Sequence, residues 1–208
     1  MKKLIVALAS TLLLTTAPVL AAPSVNGSTG LINIPTADVL RSGQFSLGYY
    51  HLKDGGVGTF NTNIVPNVEV GMTGFRYDSQ QNKTNMNAKF GIVPETVLTP
   101  GLSVGVEDIA NNDKRSSYVV ASKTLPFGFR IHAGTGNGNF HGVFAGIEKT
   151  LNPISMLTGN DTFPATTLIA EYDGKTMNYG ARLSIISGLK LDAGIRNHNG
   201  YVGVTFSR

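Results

Sequence analysis

The feature that most constrains this chain is a four-residue pattern that keeps returning. An apolar or aromatic residue is followed by glycine, another apolar residue and usually a polar or charged one. It appears as Leu47-Gly48-Tyr49-Tyr50, Val70-Gly71-Met72-Thr73, Val104-Gly105-Val106-Glu107 and Ala145-Gly146-Ile147-Glu148. Towards the end it recurs as Tyr179-Gly180-Ala181-Arg182, Ala193-Gly194-Ile195-Arg196 and Val202-Gly203-Val204-Thr205. The period is two, so these segments are strands with one apolar face and one face of glycine and charge. A chain built almost wholly of such strands must bury or immerse a great deal of apolar sheet.

Twelve strands are expected, at 44–52, 57–65, 68–77, 86–93, 102–110, 118–125, 128–135, 141–149, 166–173, 177–186, 188–197 and 200–207. Ten and fourteen are the neighbouring alternatives. Most have the length a tilted strand needs to cross a bilayer, about 9–11 residues. The connections alternate in kind. Odd-numbered ones are polar and rich in Asn, Asp, Gly and Lys, and two carry the hairpin pairs Asp173-Gly174 and Asn199-Gly200. Even-numbered ones hold Pro66, Pro94, Pro100, Pro126, Pro153 and Pro164. Such alternation fits an up-and-down meander with loops at one end and turns at the other. At 152–157, 94–98 and 35–40 the proline and capping residues suggest either single helical turns or ordinary proline-rich turns.

A soluble β-sandwich also alternates, with its apolar face as core. Three features favour an antiparallel transmembrane β-barrel instead. Glycine gains nothing on a solvated strand surface, yet it recurs on the polar face here, where a barrel interior needs room. The last strand puts Phe206 almost at the chain end, with only Ser207 and Arg208 after it, which resembles the terminal signal of assembled outer-membrane barrels. No long crossover interrupts the strand series. Charge on a lipid face costs about 2–4 kcal/mol at mid-bilayer, so the charged face must be the lumen. That reasoning assigns Glu69, Glu107, Lys123, Arg130, Glu148, Glu171, Asp173, Arg182, Lys190, Asp192 and Arg196 to a lumen-facing polar network. Leu183, Leu191, Ile195 and Val204 then face lipid.

Ahead of the strands, Lys2 and Lys3, the apolar stretch Leu4–Leu14 and the small residues near Ala21 read as a cleaved secretory leader, residues 1–21. An uncleaved membrane helix fits less well, because Ser10, Thr15, Thr16 and Pro18 break the run. Residues 22–43 are expected as a periplasmic lead-in and 44–208 as the barrel. In that lead-in Gly30 to Ile34 has two further options: a short extra strand, or a tuck into the barrel mouth near the lumen charges. With 41% hydrophobic and 14% charged residues, the chain is too polar for a helical membrane protein and poor in charge for a soluble one. Cysteine is absent, which excludes lipoprotein acylation and disulfides. Without the two leader lysines there are 15 basic residues against 13 acidic, and no basic stripe with interleaved aromatics, so nucleic acid is not an expected partner.

No convergent nucleophile, base or metal cluster is legible. His51, His132, His141 and His198 lack ligand spacing, so no metal, cofactor or catalytic residue is expected. His132 does share the lumen face with Arg130, the one arrangement that leaves room for acid–base chemistry. Gly134-Thr135-Gly136-Asn137-Gly138 lacks the strand-turn-helix context of a dinucleotide loop and reads as a hairpin tip. Asn82-Lys83-Thr84 and Asn160-Asp161-Thr162 read as loop residues.

Two blocks carry a resemblance. The first is Gly27-Ser28-Thr29-Gly30-Leu31-Ile32-Asn33-Ile34-Pro35-Thr36-Ala37, continuing through Gly43-Gln44-Phe45-Ser46-Leu47-Gly48-Tyr49. The second is Leu168-Ile169-Ala170-Glu171-Tyr172-Asp173-Gly174 with Asn178-Tyr179-Gly180-Ala181-Arg182. Together they resemble the YjbH-like exopolysaccharide-biosynthesis family of outer-membrane proteins, with Gly30, Leu31, Pro35, Thr36 and Ala37 as the family-like motif. The resemblance implies a non-enzymatic barrel in the outer membrane of a diderm bacterium, assisting export or assembly of a surface polysaccharide. Its partners would be outer-membrane lipid, the polysaccharide and envelope export proteins. A small general porin-like or structural barrel is the alternative.

Overall fold

A computed structural model describes residues 22–79, 81–151 and 164–208. The expected leader, the helical turn at 152–157 and the Asn160-Asp161-Thr162 triplet lie outside the described residues. Period-two segments form β1 (Phe45–Leu52), β2 (Gly55–Val65), β3 (Val68–Tyr77), β4 (Lys83–Val93), β5 (Gly101–Glu107) and β6 (Ser116–Thr124). They continue as β7 (Phe129–Gly136), β8 (Gly142–Leu151), β9 (Ala165–Tyr172), β10 (Met177–Ile186), β11 (Leu189–Arg196) and β12 (Asn199–Ser207). Each strand pairs antiparallel with its sequence neighbours, and β1 pairs with β12, so the sheet is a closed twelve-stranded barrel. The seam runs in register from Ser46 opposite Ser207 to His51 opposite Val202. Paired bonds between Phe45 and Arg208 finish it, at 2.8 and 3.0 Å. Closure satisfies the backbone groups that an open edge in lipid would orphan.

The barrel is inside-out relative to a soluble fold. Its large outward side chains include Leu47, Phe60, Met72, Phe90, Ile131, Leu168, Ile195 and Val202, all exposed. Its buried apolar cluster lies in the lumen, where Tyr50, Val57, Tyr118, Val120, Phe140, Phe144, Ile169 and Tyr201 converge. What they pack around is the chain's own N-terminal segment.

Residues 22–40 fold inside the barrel rather than standing in the periplasm as a lead-in. Val25, Leu31, Ile32, Ile34 and Leu40 are each at most 2% exposed. Burying such a side chain is worth roughly 1.5–3 kcal/mol, which periplasmic water would forfeit. The segment is a compact double turn with bridges between Pro23 and Thr29 and between Gly30 and Pro35. Internal bonds brace it, among them Ser24 N–H to Ser28 O (2.8 Å), Val25 N–H to Ile32 O (2.8 Å) and Leu31 N–H to Ile34 O (2.9 Å). Glycine on the inward face of β8 makes the room. A Cβ at Gly146 would lie 2.6 Å from Leu31 Cδ1 and 2.8 Å from Ile34 Cδ1.

Two of the suggested helical turns are absent. At 35–40 the chain bends at Ala37 without helix, because Ala37 N–H donates to Ser122 Oγ (2.8 Å) and Ala37 O accepts from Ser103 Oγ (2.5 Å). At 94–98 the chain bends without helix, and Glu95 turns back to accept Thr124 N–H (2.5 Å). Single 3₁₀ turns occur instead at Pro126–Gly128 and Gly138–Phe140.

Candidate functional site: the plug and the lumen network that holds it

The polar lumen residues grip the plug at three places. The loop-end clasp uses Glu171 in β9, whose carboxylate accepts backbone N–H bonds from Ile32 (2.9 Å), Asn33 (2.7 Å) and Ile34 (3.4 Å). Asn178 Nδ2 adds a fourth at 3.0 Å. Successive N–H groups wrapped on one carboxylate form an anion nest in reverse, with the barrel supplying the anion. Beside it Asn33 Nδ2 donates to Asp173 Oδ2 (2.8 Å), while Arg182 donates to Gly30 O (3.3 Å) and Leu31 O (3.1 Å). Arg182 is itself fixed by Asp192, Nε to Oδ1 at 2.6 Å. Arg196 Nε reaches Asn33 Oδ1 at 2.5 Å. The two sequence blocks, some 140 residues apart in the chain, thus meet: Gly30–Pro35 is the tip and Glu171–Arg182 the clasp.

The second grip is on β3, β4 and β5. Glu69 accepts Thr29 N–H (2.9 Å), Thr29 Oγ1 (2.7 Å) and Leu40 N–H (3.1 Å). Lys89 Nζ donates to Thr29 O (2.6 Å), Thr29 Oγ1 (2.5 Å), Asp38 O (2.7 Å) and Thr36 O (3.2 Å). Ser28 Oγ donates to Glu107 Oε1 at 3.0 Å. Each of these charges is buried; Glu69 and Lys89 are answered by plug backbone, which would otherwise need water, and Glu107 by the Ser28 hydroxyl.

The third grip closes the turn end. Arg130 in β7 forms a two-pronged pair with Asp38, 2.5 and 2.7 Å, and reaches Glu95 at 2.7 Å. Burial works against the Asp38 charge, but the hydrogen bonds and charge of Arg130 prevail and hold its carboxyl well below the usual carboxylate range. Glu148 lies 3.8 Å from Arg130 and 3.4 Å from His132 Nε2. Ser122 Oγ contacts His132 Nδ1 at 2.7 Å. Serine, histidine and glutamate therefore stand in a line like that of a nucleophile, base and orienting acid. Yet Ser122 and His132 are buried, and the Ser122 oxygen already accepts Ala37 N–H from the plug. With the plug seated no substrate atom reaches that hydroxyl. A cavity of about 40 Å³ remains at this end, bordered by Asp38, Arg130, Glu148 and Lys190.

Of the sequence-derived network, Glu69, Glu107, Arg130, Glu148, Glu171, Asp173, Arg182, Lys190, Asp192 and Arg196 have inward parity. Lys123 does not. In β6 it shares the parity of exposed Val119, and its partner across the ladder is exposed Ile131. Its ammonium donates to Thr96 O and Val97 O, both at 2.7 Å, in the β4–β5 connection. At a strand end a lysine snorkels to the interface, so the penalty for outward charge that placed it in the lumen does not apply.

Lys89 and Asp38 were not singled out by the sequence reading. Lys89 was detectable, since Asn85, Asn87 and Lys89 alternate with Met86, Ala88 and Phe90. Asp38 was not, because it lies in a segment without periodicity. Among the motif residues, Gly30, Leu31, Pro35, Thr36 and Ala37 all lie in the plug, buried.

Comparison with known proteins gives a family and a fold. A family model described as YjbH, Exopolysaccharide biosynthesis protein YbjH, matches residues 24–160, from the plug into the β8–β9 connection. The Leu168–Arg182 block lies beyond the matched range. No curated protein matches the chain. Among solved structures, the KdgM porin in complex with disordered oligogalacturonate is similar at TM-score 0.52 and 10% identity, covering 79% of this chain and 97% of that one. A second KdgM porin structure is similar at TM-score 0.51 and 10% identity, with the same coverage. At that identity the likeness is one of fold: a porin-type barrel.

Proposed function

This chain belongs to the YjbH exopolysaccharide-biosynthesis family, and from that premise we propose that it is a non-catalytic outer-membrane barrel assisting export or assembly of a surface polysaccharide. Residues 1–21 would be its cleaved leader, and the even turns would face the periplasm, as bacterial barrels place both strand termini there. Its partners in this reading are outer-membrane lipid, the glycan and envelope export proteins. The family match over plug and barrel together is the observation that carries it. The KdgM porin's complex with oligogalacturonate adds a barrel of the same fold that accommodates a sugar chain.

The buried plug weighs against the general-porin alternative. A diffusion pore needs an aqueous lumen, and here residues 22–40 occupy that space. A closed barrel contributes through what it docks at either mouth, or through regulated movement of the plug. The test is secreted glycan in a strain lacking the gene, restored by expression of the intact protein. The reading expects a loss on deletion and recovery on restoration. Unchanged glycan in the deletion strain would remove it.

A further inference from the structure

At the loop end, beyond the plug tip, the described residues line an open-mouthed cavity of about 140 Å³ between the β1–β2 and β11–β12 hairpins. Resting on the proposed polysaccharide role, we propose that this cavity is a binding site for one acidic sugar unit, its carboxylate taken by Arg196.

The volume fits. At about 10–15 Å³ per water the space holds roughly ten waters, close to the dozen or so non-hydrogen atoms of a hexuronate. The charge fits as well, since Lys53 and Arg196 outnumber Asp54 around the cavity. Arg196 is the decisive group. Asn33 of the plug holds its Nε, and no carboxylate among the described residues lies within ion-pair distance. Its terminal NH₂ groups have no acceptor among the described residues either, so the planar fork remains available for two-pronged carboxylate recognition. Arg182, one strand away, is by contrast saturated by Asp192 and plug carbonyls. Tyr77 lines the cavity with its ring stacked on Phe75, centroids 6.1 Å apart, and offers a flat surface to the C–H face of a pyranose. Asn199, directly opposite Arg196 in the ladder, supplies a neutral amide for ring hydroxyls. Because Asn33 also belongs to the plug tip, a bound carboxylate would sit within reach of the clasp.

The test is calorimetry on the full chain folded in detergent, with oligoglucuronate, neutral oligoglucose and acetate as probes. The expected result is oligoglucuronate binding at least about tenfold tighter than either of the others. Asn199→Asp places a carboxylate against Arg196 without emptying the cavity, and Arg196→Gln removes the cation. Each should weaken oligoglucuronate binding by about tenfold or more while circular dichroism shows the same barrel. Equal binding of the neutral oligosaccharide or of acetate would overturn the proposal. So would no binding, or undiminished binding by folded Asn199→Asp. Failure here alongside glycan loss in the deletion strain would remove this site and leave the broader role standing.

Discussion

Glu171 shows how much of the molecule rests on single charges facing backbone. Its carboxylate takes three N–H bonds from the plug tip, and glutamine can offer only one oxygen acceptor to them. Glu171→Gln therefore leaves at least one buried N–H facing an amide NH₂, at a cost of about 1–3 kcal/mol. The expected readout is local: faster hydrogen exchange at Ile32, Asn33 and Ile34, with the strand amides unchanged. Protection equal to that of the unaltered protein would mean that the clasp does not hold the tip. Asp38 makes a pH prediction at the same scale. Its folded pKa lies below its unfolded value of about 4, so its stabilisation is fully present above about pH 4 and erodes as pH falls towards the lower folded value. The gap in urea midpoint between the unaltered protein and Asp38→Asn should stay constant from neutral pH to about 5 and narrow below 4. A gap that closed already by pH 6 would assign the effect to another group.

At the scale of the strand, period two decides almost everything, because a one-residue slip would exchange lumen for lipid along the whole element. The absence of cysteine makes this directly measurable. Single cysteines at Leu191, Ile195 and Val204 should react with lipid-soluble maleimides and resist water-soluble ones. A cysteine at Asn199, in the loop-end mouth, should react with the water-soluble reagent. Water-soluble labelling at 195 with none at 199 would reverse the assignment of faces. Strand positions were legible in the sequence for the same reason. Alternating residues such as Leu189-Leu191-Ala193-Ile195 against Lys190-Asp192-Arg196 tolerate only one orientation in lipid. Lys123 escaped that logic because the charge penalty fades at the strand end, where alternation alone assigns the face. The helical turns suggested at 35–40 and 94–98 failed for a related reason. Capping residues nucleate a helix only when the backbone lacks better partners, and Ser103, Ser122 and the Lys123 ammonium supplied them.

At the scale of the molecule, the sequence reading found the vessel and left its contents open. The lumen charges were legible from their parity. Cross-strand pairs such as Arg182 with Asp192 are there, but much of the grip is on main-chain groups of residues 22–40, such as the amides on Glu171 and the carbonyls on Lys89. Backbone groups carry no sequence signature, and a segment without periodicity gives no register to read. The inward glycines were the nearest clue. They signalled space, while the side chains that fill it, Leu31 and Ile34 against Gly146, come from a distant part of the chain. Plug and barrel thus form one buried cluster. Single-channel current across a planar bilayer, recorded with the intact protein, tests this claim most directly. The account predicts insertion without sustained conductance steps, because residues 22–40 fill the lumen. Stable open-channel steps from the intact protein would contradict it.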